Sequence, residues 1–121
     1  ISKMCGFCGI YGKSNFIDKK LIKKMTDVLS HRGPDDSGYY LDEQIALGHR
    51  RLSIIDLSES GKQPIANENG KIITVFNGEI YNYKNIRKNL VKQGYRFKGN
   101  SDSEVIPHLY EQYGEDFVVR L

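Results

Sequence analysis

No run of apolar residues in this 121-residue chain approaches the roughly 20 that a membrane-crossing helix needs. The N-terminus lacks the apolar stretch that marks a secretory signal. There are two cysteines, Cys5 and Cys8, too few for a disulfide framework, so a reducing cytoplasm is the expected setting. No internal repeat, low-complexity tract or linker interrupts the chain. A strong charge imbalance is also missing. Eighteen Lys and Arg stand against 15 Asp and Glu, a net +3. Lysines scattered over apparent helix faces read as a solvated surface rather than a nucleic-acid groove. What is present is a chain 39% hydrophobic and 27% charged, the balance of one small soluble globular domain.

Residues 6–11 form a short apolar, glycine-rich run, predicted as a buried strand. Asp18 is placed to cap a helix running to about Ser30, with Leu21, Ile22, Met25, Val28 and Leu29 on its buried face. The stretch 31–36, His-Arg-Gly-Pro-Asp-Asp, breaks that helix and turns the chain. Residues 37–41 and 45–48 read as strands joined by a polar turn at Asp42 and Glu43. Residues 49–56 continue as extended or loop structure with Leu52, Ile54 and Ile55 as an apolar core, and residues 58–63 are loop. Residues 71–76 are a β-branched strand entered through a turn at Gly70. A second helix is predicted over 83–93, ended by Gly94. A third begins near Ser101, where Ser-Asp-Ser-Glu has capping-box spacing, and stops at Gly114. Pro107 would remove a hydrogen bond inside it, which predicts a later start or a bend. The chain stops in an apolar run, 117–121, as a piece of a larger domain would.

The chemistry centres on Cys5. A cysteine is commonly a small buried hydrophobe. Its position near the N-terminus adds a second possibility. On a first residue the thiol has its own α-amino group as a base, with a reference pKa of about 8, and the glycine after it lets a ligand approach the backbone. Four residues, Ile1 to Met4, precede it, so this arrangement needs their removal. Cys5 and Cys8 also make a C-x-x-C, a pattern of redox pairs and half metal sites. Inside a strand, side chains three apart point to opposite faces. The three histidines are isolated and no second metal-ligand pair exists, so no metal is expected. Arg50 and Arg51 form either a solvated edge or a two-point grip for a carboxylate. Asn77-Gly78 is a turn, or two neutral donors for an oxyanion. Asp102 caps a helix, or binds a substrate ammonium. The residues alone leave each pair open.

Taken in order, Met4-Cys5-Gly6, the stretch 31–38 (HRGPDDSG), the stretch 48–56 (GHRRLSIID), the stretch 76–82 (FNGEIYN) and Ser101-Asp102-Ser103-Glu104 resemble the N-terminal glutaminase domain of glutamine-hydrolysing asparagine synthetases. That is a class II, N-terminal-nucleophile glutamine amidotransferase domain. The resemblance covers residues 4–121 and is specific, and LSIID with FNGEIYN points to the asparagine-synthetase branch. It implies an α+β fold of the N-terminal-nucleophile hydrolase type, a four-layer αββα sandwich with mostly antiparallel sheets, incomplete here. It implies Cys5 as the nucleophile, and Asn77 and Gly78 as the oxyanion hole. Arg51 becomes the carboxylate ligand, with Leu52, Ser53, Ile54 and Ile55 lining the pocket, and Glu79 and Asp102 receive the α-amino group. The implied partners are L-glutamine and a C-terminal synthetase domain of the same parent chain. No nucleic acid or membrane is expected, and a homo-oligomer is left open. No cofactor is expected in this domain; ATP and Mg belong to the synthetase domain. Amidation of another acceptor, such as a surface sugar or secondary metabolite, and glutamine binding without hydrolysis are the alternatives. Two departures from the family stand out, the leader 1–4 and the shorter length. They predict that the chain as written is an inactive, self-associating partial domain.

Overall fold

The computed structural model describes residues 4–13, 17–52 and 61–121. They group into two compact units. The first holds residues up to 52 with Lys62–Pro64 and Val75–Asn77; the second holds Gly61, Ile65–Thr74 and Gly78–Leu121.

In the first unit three strands, β1 (Gly6–Tyr11), β2 (Asp36–Leu41) and β3 (Ile45–Arg51), form an antiparallel sheet in the order β1-β3-β2. The register pairs Cys8 with Gly48 and Gly38 with His49. The turn between β2 and β3 is held by Asp42, whose Oδ1 accepts from the N–H groups of Gln44 and Ile45 at 2.8 and 2.7 Å. The strand predicted over 6–11 is present, but as an edge, and its outer positions Phe7 and Tyr11 are exposed.

Helix α1 (Lys19–Val28) packs on the sheet, and Asp18 caps it by accepting from Lys20 N–H at 2.9 Å. Its buried face differs from the expected one. Ile22 and Thr26 are fully buried, whereas Leu21 and Val28 are exposed. The reason lies in the sheet. A Cβ at Gly48 would collide with Thr26 Oγ1, so the missing side chain makes room for the threonine. Thr26 then donates to Ile22 O at 2.7 Å, which satisfies its hydroxyl inside the layer. That leaves Thr26 Oγ1 to accept from the Cys8 thiol at 3.4 Å.

The second unit contains a two-stranded hairpin, β4 (Ile65–Ala66) and β5 (Ile73–Thr74), with Gly70 in its turn at φ 72°. The strand expected over 71–76 is therefore only two residues long, and β4 was not anticipated. Asn67 organises the turn. Its Oδ1 accepts from Ile72 N–H at 3.1 Å, and its Nδ2 donates to Glu111 at 3.0 Å. Helix α2 (Tyr83–Lys92) and helix α3 (Val105–Tyr113) bury Ile86 and Leu90 with Val105, Ile106 and Leu109. Each such side chain contributes about 1.5–3 kcal/mol of transfer free energy. Gly94 follows α2 at φ 98°. The third helix does start later than Ser101. A 3-10 turn (Asp102–Glu104) precedes it, and Pro107 falls in the first turn of α3, where no hydrogen bond is lost.

The capping box does not form. Glu104 instead accepts from Lys98 N–H at 2.5 Å and Gly99 N–H at 3.0 Å. A 3-10 segment (Gly114–Arg120) closes the described chain, with Val118 and Val119 exposed. No helix among the described residues is long and apolar enough to cross a membrane.

Candidate active site

Cys5 lies just before β1, half-buried, and its thiol meets a segment 47 residues away. Leu52 N–H donates to Cys5 Sγ at 3.2 Å, and the thiol approaches Leu52 O at 3.6 Å. A backbone N–H aimed at the sulfur fixes its place at the end of β3. The Cys5 carbonyl is held too, by Arg32 Nε–H at 3.2 Å. Arg32 comes from the turn after α1, where its own N–H returns to Leu29 O at 3.0 Å. Cys8 has a different setting, against Thr26 under α1. The two sulfurs therefore have separate partners, and both are free thiols.

The paired arginines separate the same way. Arg50 Nε–H donates to Gly33 O at 2.9 Å. Gly33 must be glycine for this approach, because a Cβ there would collide with the Arg50 backbone. Arg51 is buried at 7% exposure and shares its strand face with His49. Its C=O accepts from Asp35 N–H at 3.0 Å. The bond to Lys62, at 2.8 Å, holds the Asp36 carboxyl below its usual range, with Ser37 N–H and the Arg51 charge assisting. Burial, reinforced by the Arg51 charge, lowers the His49 pKa. A buried guanidinium at a strand end suits planar recognition of a carboxylate.

Asn77 is half-buried and belongs to the same unit as Cys5, Arg51 and Leu52. Gly78, Glu79 and Asp102 belong to the second unit. There Gly78 and Glu79 are exposed, and Asp102 is buried. Asp102 Oδ2 accepts from Ile80 N–H at 2.8 Å, next to Ser101 and Ser103, whose hydroxyls meet at 2.7 Å. Of the expected pocket lining, Leu52 is described, while Ser53, Ile54 and Ile55 lie outside the described residues, as do residues 1–3 of the expected leader 1–4. Among the described residues no group of His, Cys, Asp and Glu is arranged to hold a metal ion. Sequence reasoning passed over Arg32, His49 and Gln63. Arg32 and His49 lie within the family stretches 31–38 and 48–56 but carried no assigned role there, and nothing marked Gln63.

Comparison with known sequences identifies the family. The family described as the glutamine amidotransferase domain matches residues 4–121. The chain belongs to that family. It is 43% identical over 122 residues to asparagine synthetase [glutamine-hydrolyzing] 1 of Bacillus subtilis, covering 98% of this chain and 19% of the relative. Asparagine synthetase [glutamine-hydrolyzing] 2 of the same organism is 45% identical, covering 95% of this chain and 16% of the relative. Asparagine synthetase [glutamine-hydrolyzing] 1 of Arabidopsis thaliana is 44% identical, with 95% and 20% covered. The chain thus spans about a fifth of the length of the curated relatives it matches.

Proposed function

We propose that this chain is the glutaminase part of an asparagine synthetase-like enzyme, hydrolysing L-glutamine to L-glutamate and ammonia through a thioester on Cys5. The observation that carries the reading is the Leu52 N–H at 3.2 Å from Cys5 Sγ, which seats the thiol one residue from a buried arginine. With Ile1 to Met4 removed, the α-amine of Cys5 accepts the thiol proton. The sulfur attacks the side-chain amide carbon, and the Asn77 amide and Gly78 N–H donate to the oxygen as it gains charge. The proton passes to the departing nitrogen, which leaves as ammonia. Water, deprotonated by the same amine, then cleaves the thioester to glutamate and restores the thiol. Arg51 grips the α-carboxylate, Leu52 to Ile55 line the pocket, and Glu79 and Asp102 receive the α-ammonium group. With the leader attached, the nitrogen of Cys5 is a non-basic amide and the reaction stalls.

The antiparallel three-stranded sheet with α1 on one face supports reading the complete domain as a four-layer αββα sandwich of the N-terminal-nucleophile hydrolase type. The names of the relatives support aspartate as the final ammonia acceptor. That step belongs to an ATP- and Mg-using synthetase domain of a longer cytoplasmic protein. The test is glutamine hydrolysis by the full-length protein beginning at Cys5. Cys5→Ala should abolish it and Cys8→Ala should leave most of it; equal loss from both overturns the assignment and restores the dithiol reading.

A further inference from the structure

Phe76, the residue before Asn77, lies beyond the two residues of β5, yet both of its backbone groups are held by side chains. Its N–H donates to Gln63 Oε1 at 2.6 Å. Its carbonyl lies 3.2 Å from His49 Nε2. A carbonyl only accepts, so Nε2 carries the proton and donates. His49 is 1% exposed, on β3 two residues before Arg51. Its strand partner on β2 is Gly38. A Cβ at Gly38 would collide with the Gln63 carbonyl oxygen. The bare glycine therefore lets the Gln63 backbone settle on the sheet beside His49, and from there the Gln63 side chain reaches Phe76. Sheet register, a missing side chain and two polar groups converge on the backbone of one residue, in the two peptide groups that flank its Cα.

We propose that His49 and Gln63 are positioning residues that clamp the Phe76 backbone and so aim the Asn77 amide at the oxyanion. This rests on the oxyanion role given to Asn77 above. Neither residue touches substrate. Their effect comes from holding a donor within a few tenths of an ångström of where charge develops, a setting in which a misplacement of about 1 Å can cost ~100-fold in rate.

The test uses the full-length protein beginning at Cys5, with kcat and KM for glutamine hydrolysis, the rate of Cys5 alkylation by iodoacetamide, and thermal unfolding. His49→Phe removes the donor and Gln63→Met removes the acceptor. Each should lower kcat about tenfold or more while KM stays within about twofold. Alkylation, which develops no oxyanion, should keep its rate. His49→Gln, which can return an N–H to the same carbonyl, should recover most of kcat. On an Asn77→Ala background the losses from His49→Phe and Gln63→Met should vanish, because the group they aim is gone. A residue that only supports the fold would instead add its loss on that background and slow alkylation as well. If His49→Phe does not fold, Gln63→Met carries the same comparisons. An unchanged kcat in Gln63→Met, or losses that multiply with Asn77→Ala, overturns the clamp. An Asn77→Ala enzyme that hydrolyses glutamine normally overturns the oxyanion reading instead, so the two failures are distinguishable.

Discussion

Asp102 has two readings that one substitution separates. In the folded chain its Oδ2 accepts from Ile80 N–H at 2.8 Å, at 7% exposure. That bond alone would justify the residue. Asp102→Asn keeps an oxygen for Ile80 and removes the charge. A hydrogen bond to a charged acceptor contributes about 1.5–3 kcal/mol and a neutral one about 0.5–1.5, so the stability cost should be about 1 kcal/mol. If the carboxylate also receives the substrate ammonium, the substitution leaves that cation without its partner, at about 2–5 kcal/mol. At about 1.4 kcal/mol per tenfold, KM for glutamine should rise by roughly 30-fold or more.

The assay is steady-state glutaminase kinetics with denaturant unfolding on the same preparation of full-length protein beginning at Cys5. The analogue of glutamine lacking the α-amino group supplies a control. The parent should prefer glutamine strongly over it, and Asp102→Asn should lose most of that preference. Lower stability with KM and analogue preference unchanged would refute the ammonium role and leave Asp102 as a brace for the residue 80 backbone.

Arg51→Lys keeps the charge but loses the planar fork, and should raise KM for glutamine clearly. Arg50→Lys should instead lower stability through the bond to the Gly33 carbonyl; a reversal of the two effects in kinetics and unfolding would mean the wrong arginine is named. His108 is buried at 2% exposure, against the Tyr95 and Phe97 rings at 5.4 and 4.7 Å, with no hydrogen-bond partner for Nδ1 among the described residues. Burial lowers its pKa, opposed by the carboxylates of Glu104, Glu68 and Glu111 and by the Arg96 backbone. The unfolded imidazole, at about 6.5, therefore takes up a proton that the folded one refuses. Stability is fully present above that pH and falls as pH drops below it. His49 has the same sign, so His108→Leu should flatten part of the decline in unfolding free energy between pH 7.5 and 5.5; an unaltered decline would refute the account.

Local signals carried the local structure. Asp18 and the apolar spacing place α1, Gly94 ends α2, and the polar turn at 42–43 joins β2 to β3, close to the bounds the fold has. Those features depend on neighbours within a few residues, so they are written in order along the chain. Pro107 likewise signalled a delayed start for α3. The motifs pointed to Cys5, Arg51, Asn77 and Asp102, and to the family that the chain belongs to.

Tertiary structure decided what those residues touch. Which face of α1 is buried depended on the gap at Gly48, a residue of another element, so helical periodicity favoured Leu21 and Val28 where the sheet accepts Thr26. β4 is two residues long and exists only through its pairing with β5. Glu104 left the expected capping box for the backbone of 98–99 because those N–H groups are brought to it by the fold. The contact of the Cys5 thiol with Leu52 spans 47 residues, and the two-sided hold on Phe76 joins β3 to the segment at Gln63. The sequence by itself determined the family and the short-range turns and helices, whose energies are local. Their partners required chain closure over tens of residues, where backbone approach at Gly38, Gly33 and Gly48, rather than propensity, selects which groups meet.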